Sequence, residues 1–371
     1  MTKYNANNER IKRQYFAFLK EAKRQNESSV DAVAKAISRF EAYNKYRDFK
    51  AFHFEQAVGF KQHLARQTNQ QTGKPISKAT LHSTLGQLKT FFQWLAMQTG
   101  YKSRINYSDA KYFNLSEKDV RIATAKRPAA VPTLEQIKHV ISVMPSQTDI
   151  QRRNRALIAF TLLTGARDSA IASMKLKHID LTGKSVFQDA RDVKTKFSKT
   201  FTTYFFPVGD EILEIIIDWV RYLKDELLWG NDDPLFPKTH VTVSENRGFQ
   251  ATGLARAHWS NATPIRTIFR EAFEAAGLSY FNPHSLRKTL TSLGQQLCQT
   301  PEEFKAWSQN LGHEDVMTTL YSYGYVQQSR QGEIIQQLKT PRSATASQYL
   351  DDIAKAMLKV MTEQQMQIQS V

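Results

Sequence analysis

The chain has 371 residues, enough for about two domains, and its 22 Phe, 14 Tyr and 5 Trp can fill a sizeable core. One cysteine, Cys298, excludes an internal disulfide and fits a reducing compartment. The formal net charge of +16 sits almost wholly in residues 1–127, with 24 basic against 10 acidic side chains, while residues 128–371 hold 27 against 25.

A domain so biased attracts a polyanion and gains affinity by releasing its counterions. Nucleic acid fits this better than acidic lipid, because no strongly amphipathic, lipid-anchored segment accompanies the charge. The polar start "MTKYNANNERIKRQ" is unlike a signal peptide, and apolar runs such as "ALIAF" are too short to span a bilayer. The expectation is a cytoplasmic, nucleoid-associated protein with no membrane partner.

In chain order, residues 1–27 read as an N-terminal helical arm. Ser28 or Ser29 can then cap a helix whose Val30, Val33, Ile37 and Phe40 fall near helical spacing. After the turn "TGKPIS", Leu81, Leu85, Leu88, Phe92 and Leu95 form one apolar face over four turns. Lys78, His82 and Lys89 lie off that stripe, where they either meet a phosphate backbone or stay solvated. The segment "RIATAKRPAAVPT" (121–133) is the best linker candidate, and "TLEQ" (133–136) after it is a capping box that opens a new helix. These signals place an all-helical, basic domain with its linker at 28–127, suited to nucleic acid by its charge, and a mixed domain from 128.

"NRALIAFTLL" (154–163) is apolar nearly all round, as a buried helix should be, and stops at Gly165. "HIDL", "SVFQDA" and "TFTTYFFPV" read as three short strands, and from Asp210 the pattern returns to helix and stays so to the end. The fold class is therefore mainly α with a small antiparallel β-sheet (α+β). No repeat, phosphate-binding "GxxxxGK[ST]", metalloprotease "HExxH" or paired "CxxC" occurs. No cofactor and no metal are expected.

Three short stretches carry candidate chemistry. In "FNPHSLRKT" (281–289), Asn282 and Pro283 make a good helix start, and His284 and Arg287 are i, i+3 neighbours able to converge on an anion. In "LLTGARDSA" (162–170), Arg167 follows the buried helix at once. A guanidinium there is costly unless it meets an anion, either a phosphate or a local carboxylate such as Asp168. In "LGHEDVMTTLYSYGYV" (311–326), a glycine ends a helix, His313 stands just past it, and Tyr321, Tyr323 and Tyr325 follow.

Taken in order, "TGAR", "PHSLRKT" and "LGH" followed by "TT" and a tyrosine resemble the three boxes of the tyrosine recombinase (phage-type integrase) family. "DPLFP" (233–237) is similar to a stretch the family carries between them. The resemblance covers most of residues 128–326. It implies an all-helical core-binding domain, a mixed, mostly helical catalytic domain (128–340) and a C-terminal helical tail (341–371). It also implies a site-specific recombinase whose tyrosine attacks a DNA phosphodiester, leaving a 3′-phosphotyrosyl link and exchanging strands through a Holliday junction without metal or ATP. Double-stranded DNA with specific sites, a homo-tetramer on paired sites and accessory DNA-bending proteins are the implied partners. Arg167 and Arg287 would meet the charge on phosphorus, with His284 and His313 donating to its oxygens or moving the phenol proton.

The family's acid for the leaving oxygen is a lysine on the hairpin between the second and third strands. "RDVKTKFSKTFTTYFFP" (191–207) offers Lys194, Lys196 and Lys199. The "TK" context favours Lys196, while Lys199 has the commoner distance from Pro207. In many relatives the nucleophile stands where Ser322 stands here, and in others one position later in a "SYG" context, which points to Tyr323. Val316, Leu320 and Tyr323 also share a helical seam, whereas Tyr321 falls about 160° around such a helix at ~100° per residue. Ala170 stands where relatives often carry an acid, and Lys288 where many carry a second histidine. The tail helix at 346–366 either docks on a neighbouring subunit or folds back on its own domain. Rivals to the recombinase reading are a type IB topoisomerase-like activity and a catalytically silent DNA-binding protein.

Overall fold

The chain divides into two units, Met1–Arg127 and Pro128–Val371, each built around its own hydrophobic core. The computed structural model describes residues 4–68, 73–125, 130–243 and 248–313. Among the described residues no helix is long and apolar enough to cross a membrane.

The first unit is all helical: α1 (Ala6–Ala17) continued by a π-helical turn (Phe18–Ala22), α2 (Glu27–Tyr43), α3 (Phe54–Arg66), α4 (Lys78–Leu95) and α5 (Glu117–Thr124). The stripe Leu81, Leu85, Leu88, Phe92 and Leu95 is the buried face of α4, and each such side chain contributes about 1.5–3 kcal/mol on burial. Phe92 stacks on Phe52 with ring centroids 3.8 Å apart and meets Phe40 of α2 at 5.1 Å. Ile11, Tyr15 and Leu19 join the same core.

Helix α2 starts earlier than Ser28 or Ser29, because Asn26 is its cap, accepting from the Ser29 amide at 2.9 Å. Asparagine is among the best N-caps, and Ser28 spends its hydroxyl on the Asn26 side chain. Off the α4 stripe, Lys78 pairs with Asp119 at 2.9 Å and Lys89 donates to Asn114 Oδ1 at 3.0 Å, so both brace the unit, while His82 is exposed. Helix α5 runs to Thr124, so the linker stretch begins as helix at Arg121–Thr124.

In the second unit the capping box forms in both directions: Gln136 N donates to Thr133 Oγ1 at 3.2 Å and Thr133 N to Gln136 Oε1 at 3.0 Å, opening α6 (Leu134–Val143). Helix α7 (Asp149–Thr164) is buried throughout Ala156–Thr164 and ends at Gly165, whose φ of 59° a residue with a side chain adopts only at a cost. Around it pack α6, α9 (Asp210–Arg221) and α11 (Pro283–Leu297). A short helix α8 (Asp168–Ile171) leads to a three-stranded antiparallel sheet, β1 (Ile179–Asp180), β2 (Ser185–Gln188) and β3 (Phe201–Tyr204), in that spatial order. Val186 lies opposite both Ile179 and Thr203, and Gln188 opposite Phe201. The "DPLFP" stretch buries Leu235 and Phe236 in the core, and Leu235 N donates to Met174 O at 2.9 Å.

After α9 the chain is not helical throughout. A hairpin of β4 (Thr239–Val243) and β5 (Phe249–Leu254) intervenes before α10 (Thr263–Ala275), α11 and α12 (Pro301–Asn310). Its side chains are exposed on both faces, so no half-buried alternation marks it as strand. Buried Arg153 of α7 fixes its root, donating to Pro237 O at 2.9 Å and Thr239 Oγ1 at 3.0 Å.

Candidate active site

Three helix termini meet at one place: the end of α7, the start of α11 and the end of α12. Arg287, on the second turn of α11 and only 5% exposed, joins them. One terminal nitrogen donates to Gly165 O. The other donates to Leu311 O at 2.5 Å and faces His313 Nε2 at 3.2 Å. A guanidinium can only donate, so His313 Nε2 is the acceptor and its proton resides on Nδ1. Burial, and then the charge of Arg167, lowers the Arg287 pKa to about 9.

Arg167 lies two residues past Gly165, half-buried, at the N-cap of α8. Among the described residues no carboxylate or other acceptor contacts its guanidinium. The local carboxylate is engaged elsewhere: Asp168 takes both Arg266 Nε and Nη2 at 2.8 Å. Desolvation accordingly lowers the Arg167 pKa. Arg153 is the useful contrast: it is also buried without a carboxylate, but Asn154, Pro237 and Thr239 consume its donors.

His284 stands exposed on the first turn of α11, where partial desolvation and the charges of Arg287, Arg167 and Lys288 hold its pKa below the usual imidazole range. His313 is pushed down to about 4 by burial and then by Arg287, Arg167, His284 and Lys199. Thus four of the sequence-derived residues, Arg167, His284, Arg287 and His313, act on one another electrostatically, and their summed field favours an anion. Between pH 6.5 and 4 the unfolded chain binds a proton at His313 that the folded chain refuses, so stability falls as pH falls through that window. The melting temperature is expected to drop over this range, and to drop less in His313→Gln.

The hairpin lysines separate. Lys194 and Lys196 are exposed, with Lys196 Nζ 4.7 Å above the Phe197 ring, whereas half-buried Lys199 is the one whose charge registers at His313. Tyr323, its alternatives Tyr321 and Tyr325, and the tail helix lie outside the described residues.

Residues that sequence reasoning missed hold this geometry. The Asn310 amide pairs with β3 as another strand would: Tyr204 N donates to Asn310 Oδ1 at 2.7 Å, and Asn310 Nδ2 donates to Tyr204 O at 2.8 Å. Thr203 Oγ1 donates to Asn310 O at 3.1 Å. Phe201 packs so closely on Gly312 that a Cβ there would lie 2.7 Å from its ring. These contacts lock the lysine hairpin to the turn bearing His313. Trp307 seals the other side, its Nε1 donating to Leu290 O at 3.0 Å. No spacing rule reveals such pairings, since each joins residues that are local to nothing in the sequence. Among the described residues no three histidine, cysteine or acidic side chains gather in a metal-holding group.

Known proteins share this architecture. The tyrosine recombinase XerC of Lactobacillus delbrueckii subsp. bulgaricus is 23% identical over 253 residues, 67% of this chain and 72% of that protein. XerC 2 of Ralstonia nicotianae is 24% identical over 165 residues, 44% of this chain and 43% of that protein. In fold, XerH recombinase bound to palindromic difH superposes with a TM-score of 0.56 at 18% identity, covering 87% of this chain and 83% of that one. A lambda integrase dimer bound to a COC′ core site gives 0.55 at 15% identity, covering 86% and 81%. Residues 132–330 match the profile of the phage integrase family, a span that starts at the α6 capping box and takes in every residue of the cationic cluster. With that match over more than half its length, the chain belongs to the phage integrase (tyrosine recombinase) family.

Proposed function

We propose that the protein is a site-specific DNA recombinase that cuts and rejoins strands through a covalent phosphotyrosine. The observation that carries this reading is the pair of guanidinium groups at Arg167 and Arg287, the first felt at the second and both felt at two histidines held below the usual imidazole range, with no carboxylate contacting either guanidinium among the described residues. Such a cluster is costly in an empty site and is stabilised by a phosphodiester.

In the proposed step the Tyr323 hydroxyl oxygen attacks phosphorus and the bond from phosphorus to the 5′-oxygen breaks. The phenol proton passes to neutral His284, and a hairpin lysine gives a proton to the leaving oxygen. Arg167 and Arg287 stabilise the charge on the non-bridging oxygens, with His313 as a further donor beside them. Because the phosphotyrosyl bond keeps the phosphodiester's energy, the freed hydroxyl of another strand can reverse the step without ATP. Four protomers on two sites, exchanging strands through a Holliday junction, would complete recombination.

Duplexes retained from a random-sequence pool, then nicked beside the cleavage position, test this. A protein–DNA adduct is expected, with mass spectrometry placing the phosphate on Tyr323. Tight binding with no adduct would instead support an architectural role, and relaxation of supercoils by a monomer a topoisomerase-like one. For the acid, Lys199 is favoured over Lys196 because it is half-buried and its charge reaches His313, whereas Lys196 is exposed with its ammonium over the Phe197 ring. A bridging phosphorothiolate, whose sulfur leaves without a proton, should restore cleavage to Lys199→Ala. Rescue of Lys196→Ala alone would return the role to Lys196.

A further inference from the structure

The tip of the β2–β3 hairpin holds an aromatic ring that the fold itself does not use. Phe197 is 77% exposed, and its φ of 60°, followed by 52° at Ser198, puts two residues with side chains into the left-handed region. Turns of this kind favour glycine or asparagine, and a bulky side chain there is strained. The ring therefore carries a conformational cost and returns no burial. The tip is nonetheless braced: Thr195 Oγ1 donates to Lys199 O at 2.7 Å and closes the loop beneath Phe197, while Ala190 N donates to Thr200 Oγ1 at 3.1 Å. Lys194 N is tied to Ser173 Oγ at 2.8 Å, just past α8. Lys196 Nζ and Lys199 Nζ lie 4.7 Å and 6.0 Å from the ring centroid, so an apolar face and two ammonium groups are presented together. The same loop carries Lys199, whose field reaches the candidate site.

We propose that Phe197 is a DNA-contacting wedge, set by the rigid hairpin tip against a base beside the phosphate that is cut, with Lys194 and Lys196 on the flanking phosphates. The inference rests on the DNA-cleaving reading and adds to it a non-ionic contact. Charge complementarity selects the occupant: a ring ringed by lysines suits the stacked bases and charged backbone of a nucleic acid, and apolar wedges unstack base steps in this way.

The test uses the full chain and a random-sequence duplex pool substituted with bromodeoxyuridine. On irradiation the crosslink is expected on the peptide bearing Phe197. Phe197→Ser should weaken binding by about 5- to 150-fold while leaving the slope of log affinity against log salt unchanged, whereas Lys196→Ala should reduce that slope by about one. Phe197→Trp should retain both affinity and crosslink. Phe197→Gly should lose the crosslink yet raise the melting temperature, since glycine relieves the backbone strain. If the pool is bound but crosslinks only elsewhere, or if Phe197→Ser binds as tightly as the unaltered chain, the wedge is wrong while the recombinase reading stands. A change in oligomeric state in Phe197→Ser with no change in DNA binding would move the ring to a contact between copies and overturn the proposal. Failure to retain the pool at any salt concentration removes the DNA reading, and the wedge with it.

Discussion

Arg167→Met and Arg287→Met are each expected to slow adduct formation by about 10²–10³-fold, the usual loss when one preorganised donor to a developing anion is removed. They should differ in what they do to the fold. Arg287 donates to the carbonyls of Gly165 and Leu311, and leaving such buried acceptors unpaired costs about 1–3 kcal/mol each. Against this stands the relief of a buried, un-neutralised cation, worth several kcal/mol. The two terms nearly cancel, so the melting temperature of Arg287→Met should move little. Arg167 has no acceptor to abandon among the described residues, so only the relief remains and Arg167→Met should melt higher. Calorimetry of the free protein beside the adduct assay checks both. A clear loss of stability in both variants with adduct formation intact would show the guanidinium groups to be structural, and would sink the anion-site reading.

Gly312→Ala is expected to be nearly as damaging, by geometry instead of charge. Gly312 adopts φ 72°, and a methyl group there would stand 2.7 Å from Phe201. The left-handed conformation costs a residue with a side chain about 1–2 kcal/mol, and forcing an atom into a packed contact typically adds about 1–3 kcal/mol. The turn must shift to accommodate it, and His313 is the next residue. A displacement near 1 Å can cost about 10²-fold in rate. Phe201→Leu in the same chain should recover part of the stability by removing the clash but not the backbone strain. The double variant should therefore fall short of the unaltered protein and depart from the sum of the singles, because the two residues touch. If the two changes add, the proposed contact between hairpin and turn is not what holds His313.

What could be read in advance followed from where information is local. Gly165, Asn282 and Pro283, and Gly312 each mark a helix end by their own chemistry, so the neighbouring Arg167, His284 and His313 could be placed at termini before any tertiary structure was known. The α4 stripe was legible because one period runs unbroken from Leu81 to Leu95. The β4–β5 hairpin was not, because Val241, Val243 and Phe249 are exposed and no buried face imposes a period on "THVTV". The start of α2 was misread because two serines stand beside Asn26 and all three are able caps. Asn310 was invisible for a different reason: an asparagine amide that continues a sheet is recognisable only once β3 lies beside it.

The Asn310 pairing has a further consequence for how the β2–β3 loop can diversify. Its two bonds to Tyr204, like that between Ser173 Oγ and the Lys194 backbone, engage main-chain atoms, so they hold the roots of the loop whatever side chains lie between them. Residues 196–198 are then an interchangeable tip on a fixed mount, closed beneath by the bond from Thr195 Oγ1 to Lys199 O. Their length and composition can be exchanged to change how a lysine or an aromatic ring approaches a strand, while the cationic cradle behind them keeps its shape.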